Sequence, residues 1–204
     1  ARRREGSFER VIKAVDDVLA EGLLTSVSVV VTHQSLYSEG FRKVYRYALD
    51  KQIRLDVQIA EPVGKWDGRR DLLITPEDAA YIKKLRLEGP LLPNGQRMVN
   101  RDIFSGAHDH CPAGTEFLSI TADGQCLPCN FLQYSLGNLK DHSVREMRDT
   151  LLKSEWFAVD HPMCLCGESQ AFIDQFVMPY VNVTKPLDAY KVFGLKENTN
   201  DERI

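Results

Sequence analysis

The stretch Thr25–Thr32, TSVSVVVT, is the one from which the fold is read. Its β-branched residues are stiff at χ1 and fit a pleated surface, and the run of valines suits a strand buried on both faces of a parallel sheet. Before it, Phe8, Val11, Ile12, Val15, Leu19 and Leu23 recur at helical spacing with Glu, Lys and Asp on the other face. That spacing predicts a helix over Ser7–Leu23, capped by Ser7 and ended with the help of Gly22. After it, Phe41, Val44, Tyr45, Ala48 and Leu49 make a second apolar stripe, and Leu55–Ala60 reads as a second strand stopped by the turn Pro62–Gly64. Helix, strand, helix, strand indicates parallel strands joined by crossover helices, because adjacent parallel strands cannot be linked by a tight hairpin.

Further along, Thr75 and Pro76 open a helix that runs to about Glu88, with Glu77 and Asp78 at its positive end and Gly89–Pro90 closing it. Leu91–His110 contains Pro93, Asn94 and Gly95 in a row and little periodicity, and reads as a linker. The run FLSITADGQCLP, Phe117–Pro128, alternates apolar and polar residues around Asp123–Gly124, which predicts a two-residue hairpin carrying Cys126 and Cys129. A helix from Ser143 to about Phe157, with Val144, Met147, Leu151 and Leu152 inward, precedes a loop that holds Cys164 and Cys166. Past Pro179 the pattern fades, and the chain reads as weakly ordered. The expected organisation is therefore α/β units over 1–100, a small α+β cysteine-rich unit over 101–178 and a tail over 179–204.

The 204 residues can bury a core without disulfide staples. Lys and Arg total 26 against 29 Asp and Glu, so the net charge of −3 gives no electrostatic reason to expect nucleic acid or an anionic membrane, and the basic run Arg2–Arg4 is too short to change that. No apolar run approaches the length a bilayer requires, and no leader resembling a secretory signal is present. A soluble, cytoplasmic protein is the expectation.

All five cysteines fall between Cys111 and Cys166. An odd number cannot pair fully in disulfides within one chain, and a cytoplasmic setting keeps thiols reduced, so metal or cluster ligation is the favoured use. Each cysteine sits where glycine and proline let the backbone bend: Cys111 in CPAG, Cys126 and Cys129 in CLPC, Cys164 and Cys166 in PMCLCG. Iron–sulfur clusters and structural zinc can both be built from a CxxC and a distant pair, so spacing alone leaves the two open. A zinc ribbon more usually shows two CxxC knuckles, whereas the later pair here is CxC. His108, His110 and His161 stand near cysteines and could serve zinc, or be polar loop residues.

The run Cys111–Asn138, CPAGTEFLSITADGQCLPCNFLQYSLGN, resembles the SPASM-type auxiliary-cluster region of radical S-adenosylmethionine enzymes. In that family a first cysteine is followed by a hairpin glycine and by a second cysteine four intervening residues beyond it, as with Cys111, Gly124 and Cys129. A Leu-Gly-Asn then precedes a helix and further cysteines, as Leu136, Gly137 and Asn138 precede the Ser143 helix. The amino-terminal half resembles the later βα units of the radical SAM partial barrel, with a GSFERVI helix, a VVVT strand and a strand ending in Pro-x-Gly.

The resemblance implies the C-terminal portion of a partial (β/α) barrel followed by a SPASM-like unit. It implies an auxiliary 4Fe-4S cluster on Cys111, Cys129, Cys164 and Cys166, with Cys126 within reach as a replacement for one of the CxC pair or as a packed thiol. It also implies S-adenosylmethionine in the complete enzyme, with Gln34, Glu61 and Gly64, at the ends of the two strands, toward its sugar and adenine. The catalytic signature CxxxCxxC is absent, which makes a truncated or split enzyme the expectation, its amino-terminal radical SAM segment lying on the same or another chain. The expected function is radical-based modification of a peptide or small molecule, with no catalytic residue assignable here. The competing expectation is a non-enzymatic zinc module in which Cys111, Cys126, Cys129 and one later cysteine brace a partner-binding surface.

Overall fold

A computed structural model describes residues 5–101 and 110–196; Arg2–Arg4 and His108 lie outside the described residues. The chain divides into two compact units, one built from residues up to 59 with 77–103, the other from 60–76 with 104 onward.

In the first unit, helix α1 (Ser7–Ala20) is followed by strand β1 (Ser26–Val31), the short helix α2 (His33–Leu36), helix α3 (Glu39–Lys51), strand β2 (Arg54–Ile59), helix α4 (Pro76–Glu88, its first residue contributed by the second unit) and strand β3 (Val99–Arg101). The three strands form one parallel sheet in the order β1-β2-β3, with Val29 opposite Val57 and Leu55 opposite Val99. β3 lies in the stretch expected to be a linker; three residues are too few to display a period of two, and its pairing with β2 creates the strand. β2, paired on both sides, buries Leu55, Val57 and Ile59. β1 is an edge strand that exposes Ser26, Ser28 and Val30, so the expectation of burial on both faces is corrected: among the described residues nothing pairs its outer side.

Helix ends depart from the sequence reading in a physically plain way. Gly6, with φ +69, takes the N-cap position of α1 in place of Ser7. The helix stops at Ala20 because Gly22, with φ +71, lets the Leu23 N–H turn back to the Val18 carbonyl. No residue of α1 is buried; it is tied to α3 by Asp16, which accepts from Tyr47 (3.0 Å) and Lys51 (2.7 Å). Thr32 and Ser35 form a capping box on α2, and Ser38 caps α3. The buried Asp78 of α4 holds His33 Nδ1 at 2.7 Å and the Tyr37 hydroxyl at 2.8 Å.

In the second unit the strands are two residues long. β4 (Ser119–Ile120) pairs antiparallel with β5 (Cys126–Leu127), and β6 (Tyr134–Ser135) pairs parallel with β7 (Leu187–Asp188). The hairpin is wider than the expected two-residue turn: Thr121 N–H donates to the Gln125 carbonyl at 2.9 Å, so Ala122 joins Asp123 and Gly124 in the loop, with Gly124 at φ +90. Helix α5 (Val144–Leu151) has a capping box of Ser143 and Glu146, and it ends at Leu151 rather than Phe157. Helix α6 (Gln170–Phe172) runs on into the π-turn Ile173–Val177, and helix α7 (Ala189–Phe193) follows β7.

The core of this unit is aromatic. Phe193 lies 4.9 Å from Tyr134, 5.3 Å from Phe157 and 5.0 Å from Phe176, while Trp156 meets Phe172 edge-on at 5.3 Å. Phe193 belongs to the stretch expected to be weakly ordered; it is fixed by this ring cluster and by the β6–β7 pairing, neither of which leaves a periodic signal. Among the described residues no helix is long and apolar enough to cross a membrane.

Candidate metal centre

Three turns of the second unit carry the sulfurs of the site. The first is Cys-Pro-Ala-Gly, in which the Pro112 carbonyl accepts from the N–H groups of Thr115, Glu116 and Phe117. Gly114, with φ +76, closes it where a Cβ would stand 2.5 Å from Leu151 Cδ2. The Gly114 N–H also donates to the Pro128 carbonyl at 3.0 Å, which stitches this turn to the end of the hairpin next to Cys129. In the third turn the carbonyl of Cys164 accepts from the N–H groups of Glu168 and Ser169, and Glu168 Oε2 accepts from the Cys164 N–H at 2.6 Å. A further bond, from Cys111 N–H to the His161 carbonyl at 2.7 Å, ties the first turn to the approach of the third.

The outcome is four buried thiols. Cys164 and Cys166 stand 3.8 Å apart, Sγ to Sγ. Cys111 acts electrostatically on Cys164, and Cys129 on Cys166, so the four thiols influence one another's ionisation. A backbone N–H group points at sulfur, Leu132 donating to Cys129 Sγ at 3.3 Å, and the backbone at Leu165 and Ala113 favours the charged form of Cys111. Glu61 completes the cluster, its Oε1 accepting from Cys164 at 3.3 Å and its Oε2 from Cys166 at 3.0 Å.

Electrostatics follow from the crowding. The Cys164 thiol, helped by the backbone at Leu165 and Ala113, lowers the Cys111 thiol to about 7 against the opposing effects of burial and the Glu168 charge. Cys164 is pushed well above its ordinary value by Cys111, with burial and Glu61 adding to it. Cys166 rises likewise through Cys129 and Cys164, then through burial and Glu61. Several ionisable sulfurs and a carboxylate confined away from water resist ionising together unless a cation sits among them. The donor set, four soft sulfurs with an N–H group directed at Cys129, fits a thiolate-ligated cluster or ion and offers no comparable cradle for a hard cation such as magnesium.

Of the five cysteines, Cys164 and Cys166 are brought together beside Glu61, and Cys111 and Cys129 are buried and act on them electrostatically. Cys126 is not bonded to them: it is fully buried in β5, where desolvation alone raises its thiol. Histidine stays out of the sulfur group among the described residues. His161 directs Nε2 to the Trp156 carbonyl at 2.9 Å, and His110 Nε2 lies 3.2 Å from Glu116. Gln34 is exposed in α2, in the first unit, and Gly64 is exposed at φ +59 in the loop after β2, in the second. Glu61, expected to face S-adenosylmethionine, turns its carboxylate to two sulfurs instead; its place after a strand was readable, its direction was not. Glu168 was missed because nothing in its spacing announces a backbone-capping role.

Residues 111–170 match the SPASM family, described as an iron–sulfur cluster-binding domain. This segment is therefore the SPASM-type cluster region that its cysteine and glycine spacing resembles. No curated protein and no solved structure matches the chain.

Proposed function

We propose that this chain is the C-terminal part of a radical S-adenosylmethionine enzyme whose auxiliary 4Fe-4S cluster is held by Cys111, Cys129, Cys164 and Cys166. The observation that carries the reading is the burial of these four thiols, with Cys164 and Cys166 3.8 Å apart, inside the segment that matches an iron–sulfur domain. When bound, such a cluster accepts or relays an electron, or anchors substrate. The protein's own part is to fix and tune it. The backbone groups at Cys111 and Cys129 stabilise negative charge on sulfur, and the rings of Tyr134, Phe172 and Phe176 supply an apolar surround for the unit.

In this reading the first unit supplies late βα units of a partial barrel. Sequential order in a parallel sheet supports it, since a barrel adds strands in turn. The side of β1 that is unpaired among the described residues, with Val30 and Leu24 exposed nearby, supports an amino-terminal radical SAM segment as its partner. Gln34 and Gly64 are the positions proposed toward S-adenosylmethionine. The substrate is a peptide or a small molecule, and reductive cleavage of S-adenosylmethionine belongs to a CxxxCxxC segment that this sequence does not contain.

A second reading has one observation in its favour. Tetrahedral zinc bound at about 2.3 Å by thiolates sets neighbouring sulfurs about 3.8 Å apart, and Cys164 and Cys166 stand at 3.8 Å; thiolates on separate irons of a cluster stand farther apart. Anaerobic reconstitution with iron and sulfide decides between them. About four irons per chain and a brown colour are expected, both lost in Cys111→Ala and Cys129→Ala. A colourless protein with one zinc per chain would overturn the cluster assignment.

A further inference from the structure

We infer that Glu61 is an oxygen donor of the metal centre, binding the metal group through the edge it turns to Cys164 and Cys166. The inference rests on the metal reading above and adds a carboxylate to its sulfur set. Each oxygen faces its own sulfur, at 3.3 and 3.0 Å, and one donor atom from each of the three residues lies within 4.8 Å of the others. The residue is 4% exposed, so the carboxylate is not a surface group that happens to swing past. The turn that carries it is closed by the Val63 N–H on the Glu61 carbonyl at 2.8 Å, and Pro62 restricts the backbone beside it.

Charge makes the placement informative. In a thiolate centre that ignored Glu61, a buried carboxylate would stand against two negative sulfurs, and all three would be disfavoured by burial and by like-charge repulsion. A cation shared among them removes that conflict. The other acid of the site provides a contrast: Glu168 uses Oε2 on the Cys164 backbone N–H and so holds the loop, whereas both oxygens of Glu61 face sulfur. Among the described residues, Cys164 and Cys166 are the cysteines whose sulfurs share the 4.8 Å group with Glu61. A carboxylate is a harder ligand than thiolate and would differentiate one metal position from the rest.

The test uses the full chain reconstituted anaerobically with ferrous iron and sulfide, comparing wild type, Glu61→Gln, Glu61→Asp and Cys126→Ala. Readouts are iron retained against a chelator and the electron paramagnetic resonance spectrum of the reduced protein. Glu61→Gln should weaken retention about 10- to 100-fold and change the spectrum, Glu61→Asp should retain more iron than Gln, and Cys126→Ala should match wild type. Glu61→Gln that keeps both retention and spectrum overturns the inference, as does equal loss in the Asp and Gln variants. If wild type takes zinc instead of iron, the cluster assignment fails alone. Cobalt then replaces zinc as the probe, and visible bands that do not shift between wild type and Glu61→Gln overturn the role of Glu61. Wild type that holds no metal overturns both.

Discussion

The two units solve the problem of specifying a fold with different materials. In the first, a parallel sheet places Leu55 and Val57 in a dry interior, and Ile82 of α4 is also fully buried. In the second, paired strands reach only two residues, and order comes from glycine turns, stacked rings and a knot of sulfur and carboxylate. Apolar burial is non-directional and works without a partner. A group of ionisable donors is at odds with burial until its cation arrives, so the second unit should depend on metal in a way the first does not.

The largest effect expected from this contrast is on chelation. Stripping the metal, or replacing Cys166 by Ser, should remove several kcal/mol from the second unit, since metal-binding free energy becomes folding free energy where the site forms only on folding. Hydrogen exchange reads it: amides of the hairpin, of α5 and of the Cys164–Ser169 turn should lose protection, while those of β1 and β2 keep theirs. Equal protection of the second unit with and without metal would break the comparison. A smaller effect is expected in the first unit from Leu55→Ala, about 2–5 kcal/mol through the lost transfer energy and the cavity left behind. Denaturant unfolding should give the same loss with and without metal. A loss that varies with metal would show the units to be less independent than their cores suggest.

How much of this was legible follows the same division. The valine run of β1 and the strand Leu55–Ala60 carry their own signal, and so do the helix beginning at Ser143 and the glycine of the hairpin. β3 does not, because a three-residue strand exists only through Leu55, Asp56 and Val57 beside it. Phe193 gave no warning either, since its partners Tyr134 and Phe157 are distant in sequence and share no period with it. At the candidate site, turn residues around the cysteines marked the segment that matches the cluster-binding family, although Cys126 lies in strand β5 rather than in a turn. The bond from the Cys111 N–H to the His161 carbonyl spans a loop whose path no local pattern records. Glu61 shows the limit most clearly: a strand end predicts where a residue sits, and packing alone decides what its side chain faces.

A polar tie in the second unit gives the smallest and sharpest test. Asp67 accepts from Lys185 Nζ at 2.7 Å and from the Asn182 N–H at 3.0 Å, and it is largely shielded, with 17% of its side chain exposed. Burial alone would raise its carboxyl, but the Lys185 bond and the Asn182 N–H outweigh it and hold the group below its ordinary 3.8. A folded value below the unfolded one means that the stabilisation is fully present above the unfolded value and is lost as pH falls through the folded one. Asp67→Asn should therefore lower the stability of the second unit by about 1 kcal/mol at neutral pH. The deficit should close in strong acid, where the wild-type carboxyl is protonated too. Metal sites also release their ions in acid, so both proteins have to be compared in metal-free form. A deficit of the same size at both pH values would mean that Asp67 acts through shape, and that the tie to Lys185 contributes nothing by charge.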